Sequence, residues 1–230
     1  MSSPHKPSST TLYCFTPLVT LVTFVIEIAL ALITLFKYHK TPFGRLSALF
    51  FTLLAIFQFS EYMLCAHNGT QFWTQLGWIA ISFLPPIGVH LSTMMGKKSH
   101  WMPIGYAIAT IFAVLFATSA AAPQARCIGT AVDFFGTSST FSSLYSLFYF
   151  WFIAVALWIL TNIWRSKNTM SMVAGWFMVG YAAFIIPTFA VYVVSPVSRE
   201  SFPSIFCGFA IFLALIGIGK VLPLYHKHLK

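Results

Sequence analysis

The chain has 230 residues, of which 58% are hydrophobic and only 7% are charged. A soluble domain carries about 25% charged residues, so the composition excludes a soluble domain and predicts a membrane protein. The net charge of +9 does not indicate a nucleic-acid partner, because the basic residues lie in short segments between long apolar runs. The sequence carries no nucleotide-binding motif and no zinc-binding spacing, and we expect no cofactor and no metal.

Long apolar runs predict seven membrane-spanning helices within one transmembrane domain at 12–224. A tail at 1–11 precedes this domain, and a second tail at 225–230 follows it. The predicted spans cover about 12–36, 46–66, 73–95, 101–120, 141–164, 170–194 and 203–224. The sequence therefore predicts an all-α membrane protein, a seven-transmembrane helical bundle in contact with the lipid bilayer.

The lysines and arginines outside the spans fall mainly on one side of the predicted bundle. Three lie on the other side, namely Lys6, Arg126 and Arg199. The favoured side carries nine, namely Lys37, Lys40, Arg45, Lys97, Lys98, Arg165, Lys167, Lys227 and Lys230. Because positive charge collects in cytoplasmic loops, we expect the N-terminus outside and the C-terminus in the cytoplasm. The membrane would be a plasma membrane or a bacterial cytoplasmic membrane.

The stretch "FLPPIGVHLS" at 83–92 places two prolines inside the third span. Pro85 and Pro86 lack the N–H groups that the carbonyls of Ile81 and Ser82 would accept, and lipid offers those carbonyls no substitute. We expect a kink whose broken turn faces protein, with His90 on the same face as Pro86. Two interpretations remain open. These residues form a hinge or cavity floor, or the kink is static and His90 is hydrogen-bonded to a neighbouring helix.

Three further ionisable residues lie within the predicted spans. Glu27 in the first span and Lys220 in the last are predicted at similar depth. Because first and last helices of a closed bundle are normally neighbours, an ion pair is expected. The alternative is that Lys220 extends to the cytoplasmic interface while Glu27 is protonated. Glu61, near the outer end of the second span, either lines a pocket open to the outside or reaches interfacial water.

All four cysteines are predicted on the extracytoplasmic side, where disulfides persist. Four cysteines allow three connectivities. We expect Cys65 to pair with Cys127, since the loop that carries Cys127 is long enough to adjust to the geometry of a disulfide. Cys14 and Cys207 would form the second pair between the first and last helices. The alternative for each pair is unpaired thiols, which behave as small buried hydrophobes.

Three stretches carry a resemblance to a known family. They are "WIAISFLPPIGVHLSTMMGKK", "SSLYSLFYFWFIAVALWILTNIWRSKN" and "GKVLPLYHKHLK". With these patterns, spans two to seven resemble the N-terminal seven-helix membrane region of bacterial histidine kinases. The resemblance implies a sensor module. The sequence reaches Lys230 without a kinase, so we expect signalling through partner proteins.

Two functions are compatible with these observations. A receptor-like module would bind a small or lipophilic ligand in a cavity among spans two, three, five and six. A non-catalytic accessory subunit of a larger membrane complex would instead use Gly208, Gly217 and Gly219 for close helix packing. An enzyme is not expected, because one buried histidine without a nucleophile motif does not make a catalytic group.

The charge distribution generates a direct test of topology. Alkaline phosphatase fused after Lys230 is expected to be inactive, because the enzyme folds only outside the cytoplasm. An active fusion would show that the true orientation is the reverse of the predicted one.

Overall fold

A computed structural model describes residues 17–67, 70–96, 99–118, 123–127, 132–194 and 201–228. The predicted tail at 1–11, Cys14 and the last two residues lie outside these ranges. Within the described ranges, six helical segments are long and apolar enough to cross a membrane, so the chain is an integral membrane protein with several spans. The helices are α1 Pro17–Tyr38, α2 Pro42–Ala66, α3 Gln71–Ser82, α4 Leu84–Met94, α5 Trp101–Ala117, α6 Ser139–Arg165, α7 Ser171–Val194, α8 Phe202–Ile216 and α9 Leu222–Lys227.

The observed helices follow the predicted spans to within a few residues. Helices α3 and α4 together make the third predicted span, and α8 continues through a π-helical segment, Gly217–Val221, into α9. Helix α5 has 17 residues and is therefore shorter than the six spanning segments. Local sequence explains several helix starts. Thr41 caps α2 by accepting a hydrogen bond from the Gly44 N–H, and Ser138 caps α6 by accepting one from the Phe141 N–H.

The long loop that carries Cys127 contains a short β-hairpin, which the sequence does not predict, in addition to the predicted helical bundle. Strands β1 Gln124–Cys127 and β2 Val132–Phe135 pair antiparallel, with Arg126 opposite Asp133. Each strand has four residues, too short for a periodic pattern to distinguish a strand from a loop.

Contacts between chain-distant residues define the two ends of the bundle. At the hairpin end, Gln71 Nε2 donates to the Pro123 carbonyl at 3.1 Å, and Gln75 Nε2 donates to the Ala117 carbonyl at 3.0 Å. Here the start of α3 therefore lies beside the end of α5 and the hairpin. At the opposite end, called the tail end below, Tyr225 of α9 stacks on Phe43 of α2, with 4.1 Å between ring centroids.

The proline pair divides the third span into two helices. Helix α3 ends at Ser82, the Phe83 N–H turns back to the Ala80 carbonyl at 3.3 Å, and α4 begins at Leu84. The prolines thus occupy the first turn of α4, where a helix does not need N–H donors. Pro85 and Pro86 are buried. The broken turn therefore faces protein rather than lipid.

Glycine permits the close approach of α5 to the neighbouring helices. A Cβ atom at Gly105 would lie 2.6 Å from Phe152 Cε1 on α6 and 3.0 Å from Pro86 Cβ on α4. Phe152 is itself fully buried, so its ring has no free space into which to move. The seam between α4, α5 and α6 thus depends on the missing side chain at position 105.

Gly105→Val is expected to lower the free energy of unfolding by about 1–3 kcal/mol, because overpacking displaces a buried ring. Gly219→Val is the matched control: a Cβ at Gly219 meets no atom within 4 Å, and we expect a change within about 0.5 kcal/mol. Denaturant unfolding in detergent micelles measures both variants. Equal stabilities would contradict the described packing.

Candidate functional site

The β-hairpin is fixed to the helices by a disulfide. Cys65, near the end of α2, bonds to Cys127 of β1, with 2.11 Å between the sulfurs and 5.3 Å between the Cα atoms. This is the loop pairing predicted from the sequence. Across the hairpin, Arg126 Nη2 donates to Asp133 Oδ2 at 2.7 Å. The disulfide therefore fixes the hairpin to α2, and the ion pair joins its two strands.

The second predicted disulfide is not formed. Cys207 is a free, buried cysteine, and its expected partner Cys14 lies outside the described residues.

A pocket of about 250 Å³ lies beneath the hairpin. Six aromatic rings from four helices and β2 surround it, and Trp78 is central among them. The Trp78 ring centroid lies 5.1 Å from that of Phe116, 5.4 Å from that of Phe134 and 5.2 Å from that of Tyr145. The full lining comprises Trp78, Phe116, Pro123, Phe134, Thr137, Phe141, Ser142, Tyr145, Ser146, Phe202 and Pro203. We call this site the hairpin pocket.

A few polar groups accompany the rings of the hairpin pocket. The indole N–H of Trp78 is buried and has no hydrogen-bond partner among the described residues. The hydroxyls of Thr137 and Ser142 bond to each other at 2.6 Å, and the Tyr145 hydroxyl bonds to Ser82 Oγ at 3.2 Å. An apolar cavity with a few oriented polar groups is the usual form of a small-molecule site.

One of the two prolines lines a different and much smaller cavity. Pro85 borders a space of about 20 Å³ enclosed by side chains of α2, α4, α6, α7 and α8. This is where the sequence predicts a ligand cavity, but the volume suffices for about one water molecule. The ligand-sized space lies instead at the hairpin end of the bundle.

His90 does not line either cavity. Its Nδ1 lies 3.1 Å from the hydroxyl of Tyr106 on α5, and its side chain is partly exposed. Of the two interpretations of the proline stretch, the geometry matches a helix break with His90 hydrogen-bonded to a neighbouring helix.

The predicted Glu27–Lys220 ion pair is wrong. Lys220 is exposed and places its ammonium 5.4 Å from the ring centroid of Trp176 on α7. The reason is helical phase: Gly217 and Val221 face the bundle, and Lys220, about 100° away from Val221, faces outward. Glu27 is completely buried, and its carboxyl has no hydrogen-bond partner among the described residues.

Glu61 is buried as well, with 1% of its surface exposed. Neither sequence-based alternative, an outward-open pocket or interfacial water, describes it. It faces the hydroxyl of Ser204 on α8, and it interacts electrostatically with Glu27. Two carboxyls that the sequence treats separately thus lie in one buried region.

The sequence does not single out the residues of the hairpin pocket. Aromatic residues make up 18% of the chain, so no individual ring is distinctive. Pairing of β2 with β1 is what brings Phe134 over Trp78. The unpartnered indole of Trp78 becomes evident only in the folded arrangement.

No protein-family model matches the chain, and no curated protein shows significant similarity to it.

The disulfide is testable by peptide mapping. Unreduced protein that is denatured and alkylated is expected to yield a cross-linked Cys65–Cys127 peptide and an alkylated Cys207. The Cys65→Ser/Cys127→Ser double variant is the control for peptide assignment. Alkylation of Cys65 and Cys127 without prior reduction would contradict the pairing.

Proposed function

We propose that this protein is a membrane sensor module that binds a small, largely apolar molecule in the hairpin pocket. The observation that carries the proposal is the pocket of about 250 Å³ surrounded by aromatic rings, one of which, Trp78, has a buried indole N–H without a hydrogen-bond partner among the described residues. Burial of an apolar ligand among these rings supplies the affinity. The indole N–H supplies selectivity for an acceptor group, because an unpaired buried donor disfavours ligands without one.

The proposal includes the seven-span topology with the N-terminus outside, in a plasma membrane or a bacterial cytoplasmic membrane. Helix α5 would be the fourth span, because its 17 residues reach about 25 Å. Its end also lies beside the start of α3, as the bond between Gln75 and the Ala117 carbonyl indicates. With the lysine-rich tail end in the cytoplasm, the hairpin pocket would be open to the extracytoplasmic side.

Signal output would pass through partner membrane proteins. Helix α6 carries Tyr145 and Phe141 of the hairpin pocket and runs without interruption to Arg165 at its other end. A ligand that favours one position of α6 would therefore change the surface presented at the tail end. The resemblance of spans two to seven to the membrane region of bacterial histidine kinases supports the same role.

The accessory-subunit alternative is supported by a second surface feature. An apolar groove of about 510 Å³ runs along the outer face of α7 beside the end of α6, lined by Trp164, Met172, Gly175, Trp176, Met178, Val179 and Ala182. A helix of another membrane protein would fit such a groove. Gly217, by contrast, is covered by Phe51 within the chain. Purification in mild detergent followed by identification of bound proteins distinguishes this alternative, which predicts a stoichiometric partner.

Binding to the hairpin pocket can be tested with acetophenone, a small aromatic molecule with a carbonyl acceptor. We expect saturation-transfer NMR to detect its binding to protein in nanodiscs above the background of empty nanodiscs. Ser142→Phe should abolish the signal by filling the pocket. Ser143→Phe is the matched control, because Ser143 is exposed on the same helix turn and does not line the pocket.

The role of Trp78 can be tested with ethylbenzene, which lacks the carbonyl of acetophenone. The wild-type protein should prefer acetophenone by about 2- to 12-fold, the equivalent of one hydrogen bond of about 0.5–1.5 kcal/mol. Trp78→Phe should remove this preference. Equal binding of acetophenone to the wild type and to Ser142→Phe would overturn the proposed function.

A further inference from the structure

Two carboxyl groups lie inside the bundle without any charge partner. Glu27 on α1 is 0% exposed and Glu61 on α2 is 1% exposed. None of their four carboxyl oxygens has a hydrogen-bond partner among the described residues, and the ion pair found within those residues joins Arg126 to Asp133 instead. Such groups are rare within membranes and usually serve ion or proton movement.

Helix geometry directs the two carboxyls towards each other. Helices α1 and α2 run antiparallel from a tight turn in which Gly44 lies against the Tyr38 backbone. Glu27 lies eleven residues before the end of α1 and Glu61 nineteen residues after the start of α2, so about 12 Å of helical rise separates their Cα levels. Side chains tilt towards the N-terminus of their own helix, and here both tilts point into that interval. The two carboxyls interact electrostatically.

Helix α8 contributes polar groups to the same region. The Ser204 hydroxyl faces Glu61, and the Cys207 thiol interacts with both Glu27 and Glu61. Gln58 lies one turn before Glu61 on α2. Ser204 is 1% exposed, as is Gln58, yet Ser204 Oγ and Gln58 Nε2 lack hydrogen-bond partners among the described residues. Two hydrogen-bond donors that lack acceptors, the Ser204 hydroxyl and the Gln58 amide, are therefore found with two carboxyls that lack donors.

Among the described residues, the other titratable groups on the elements packed against α1 and α2 supply no counter-charge to the two carboxyls. On α8 the titratable group is Cys207, which is a free thiol. On α4 it is His90, which contacts Tyr106 of α5. The hairpin contributes Arg126 and Asp133, which pair with each other. No cationic side chain among the described residues neutralises the carboxyls.

We propose that Glu27 and Glu61 form a reversible proton-binding site within the membrane. In the described arrangement both carboxyls carry a proton, because two neighbouring negative charges without counter-ions are too costly in a low dielectric. Release transfers one proton to water and leaves a carboxylate. That carboxylate accepts hydrogen bonds from the Ser204 hydroxyl, the Gln58 amide and the remaining carboxylic acid. The unpartnered donors thus distinguish an exchanging site from two permanently neutral side chains.

Infrared spectroscopy of the protein in liposomes tests this proposal. The chain has four acidic side chains in total, so a protonated carboxyl is easily resolved. At neutral pH we expect a carbonyl-stretch band of protonated carboxyl, which diminishes reversibly in alkaline buffer. Glu27→Gln and Glu61→Gln should each remove part of the band, and the double variant should remove all of it. Asp133→Asn is the matched control, because Asp133 is a salt-bridged carboxylate in the hairpin.

A measurement on the unmutated chain keeps the test independent of folding defects. Glutamate labelled with ¹³C at the side-chain carboxyl reports its protonation by solid-state NMR, and neutral carboxyls that titrate reversibly are expected. Absence of protonated carboxyl at neutral pH would overturn the proposal. A band that persists unchanged at every pH at which the protein stays folded would also overturn it, because the carboxyls would then be structural.

Discussion

A lipid bilayer offers no hydrogen-bond partners, and this constraint explains more of the structure than any single contact does. Several hydroxyls inside the spans bond to their own helix: Ser60 donates to the Ile56 carbonyl at 2.8 Å, and Thr188 donates to the Phe184 carbonyl at 2.7 Å. The break at Phe83 obeys the same rule, because a new helix start is the one place where prolines leave no donor missing. Against this background, the unpartnered carboxyls of Glu27 and Glu61 are the groups that the constraint disfavours most, because they can carry a charge.

The hairpin pocket and the carboxyl pair are neighbours in the fold. On α2, Glu61 precedes the disulfide-bonded Cys65 by one helical turn. On α8, Phe202 and Pro203 line the pocket, and the next residue is Ser204, which faces Glu61. A molecule that displaces the first turn of α8 would therefore move a hydrogen-bond donor of the carboxyl pair. Ligand binding and proton binding would be linked through about one turn of two helices.

The sequence predicts most of the helices, because a run of apolar residues long enough to cross lipid has few alternatives. It also predicts the Cys65–Cys127 bond, since shared sidedness and a long loop restrict the choice. Properties that depend on rotation about a helix axis could not be predicted in this way. Lys220 and Glu27 have suitable depths, yet the side chain of Lys220 points away from the bundle. The proximity of Glu27 to Glu61 likewise depends on how α1, α2 and α8 are rotated against one another, which hydrophobicity does not encode.

The π-helical segment Gly217–Val221 makes this stretch more tolerant of a change in chain length than of a change in side chains. A π turn holds one residue more than an α turn, so loss of a single residue here would let the segment close as an ordinary α turn. Helix α9 would keep its rotation, with Tyr225 stacked on Phe43 and His226 edge-on to Tyr38 at 5.6 Å. Loss of a residue after the segment would instead turn these two rings by about 100°. Gly217 and Val221 are buried, so larger side chains at these two positions would displace their neighbours, whereas a single-codon deletion within the segment could be accommodated.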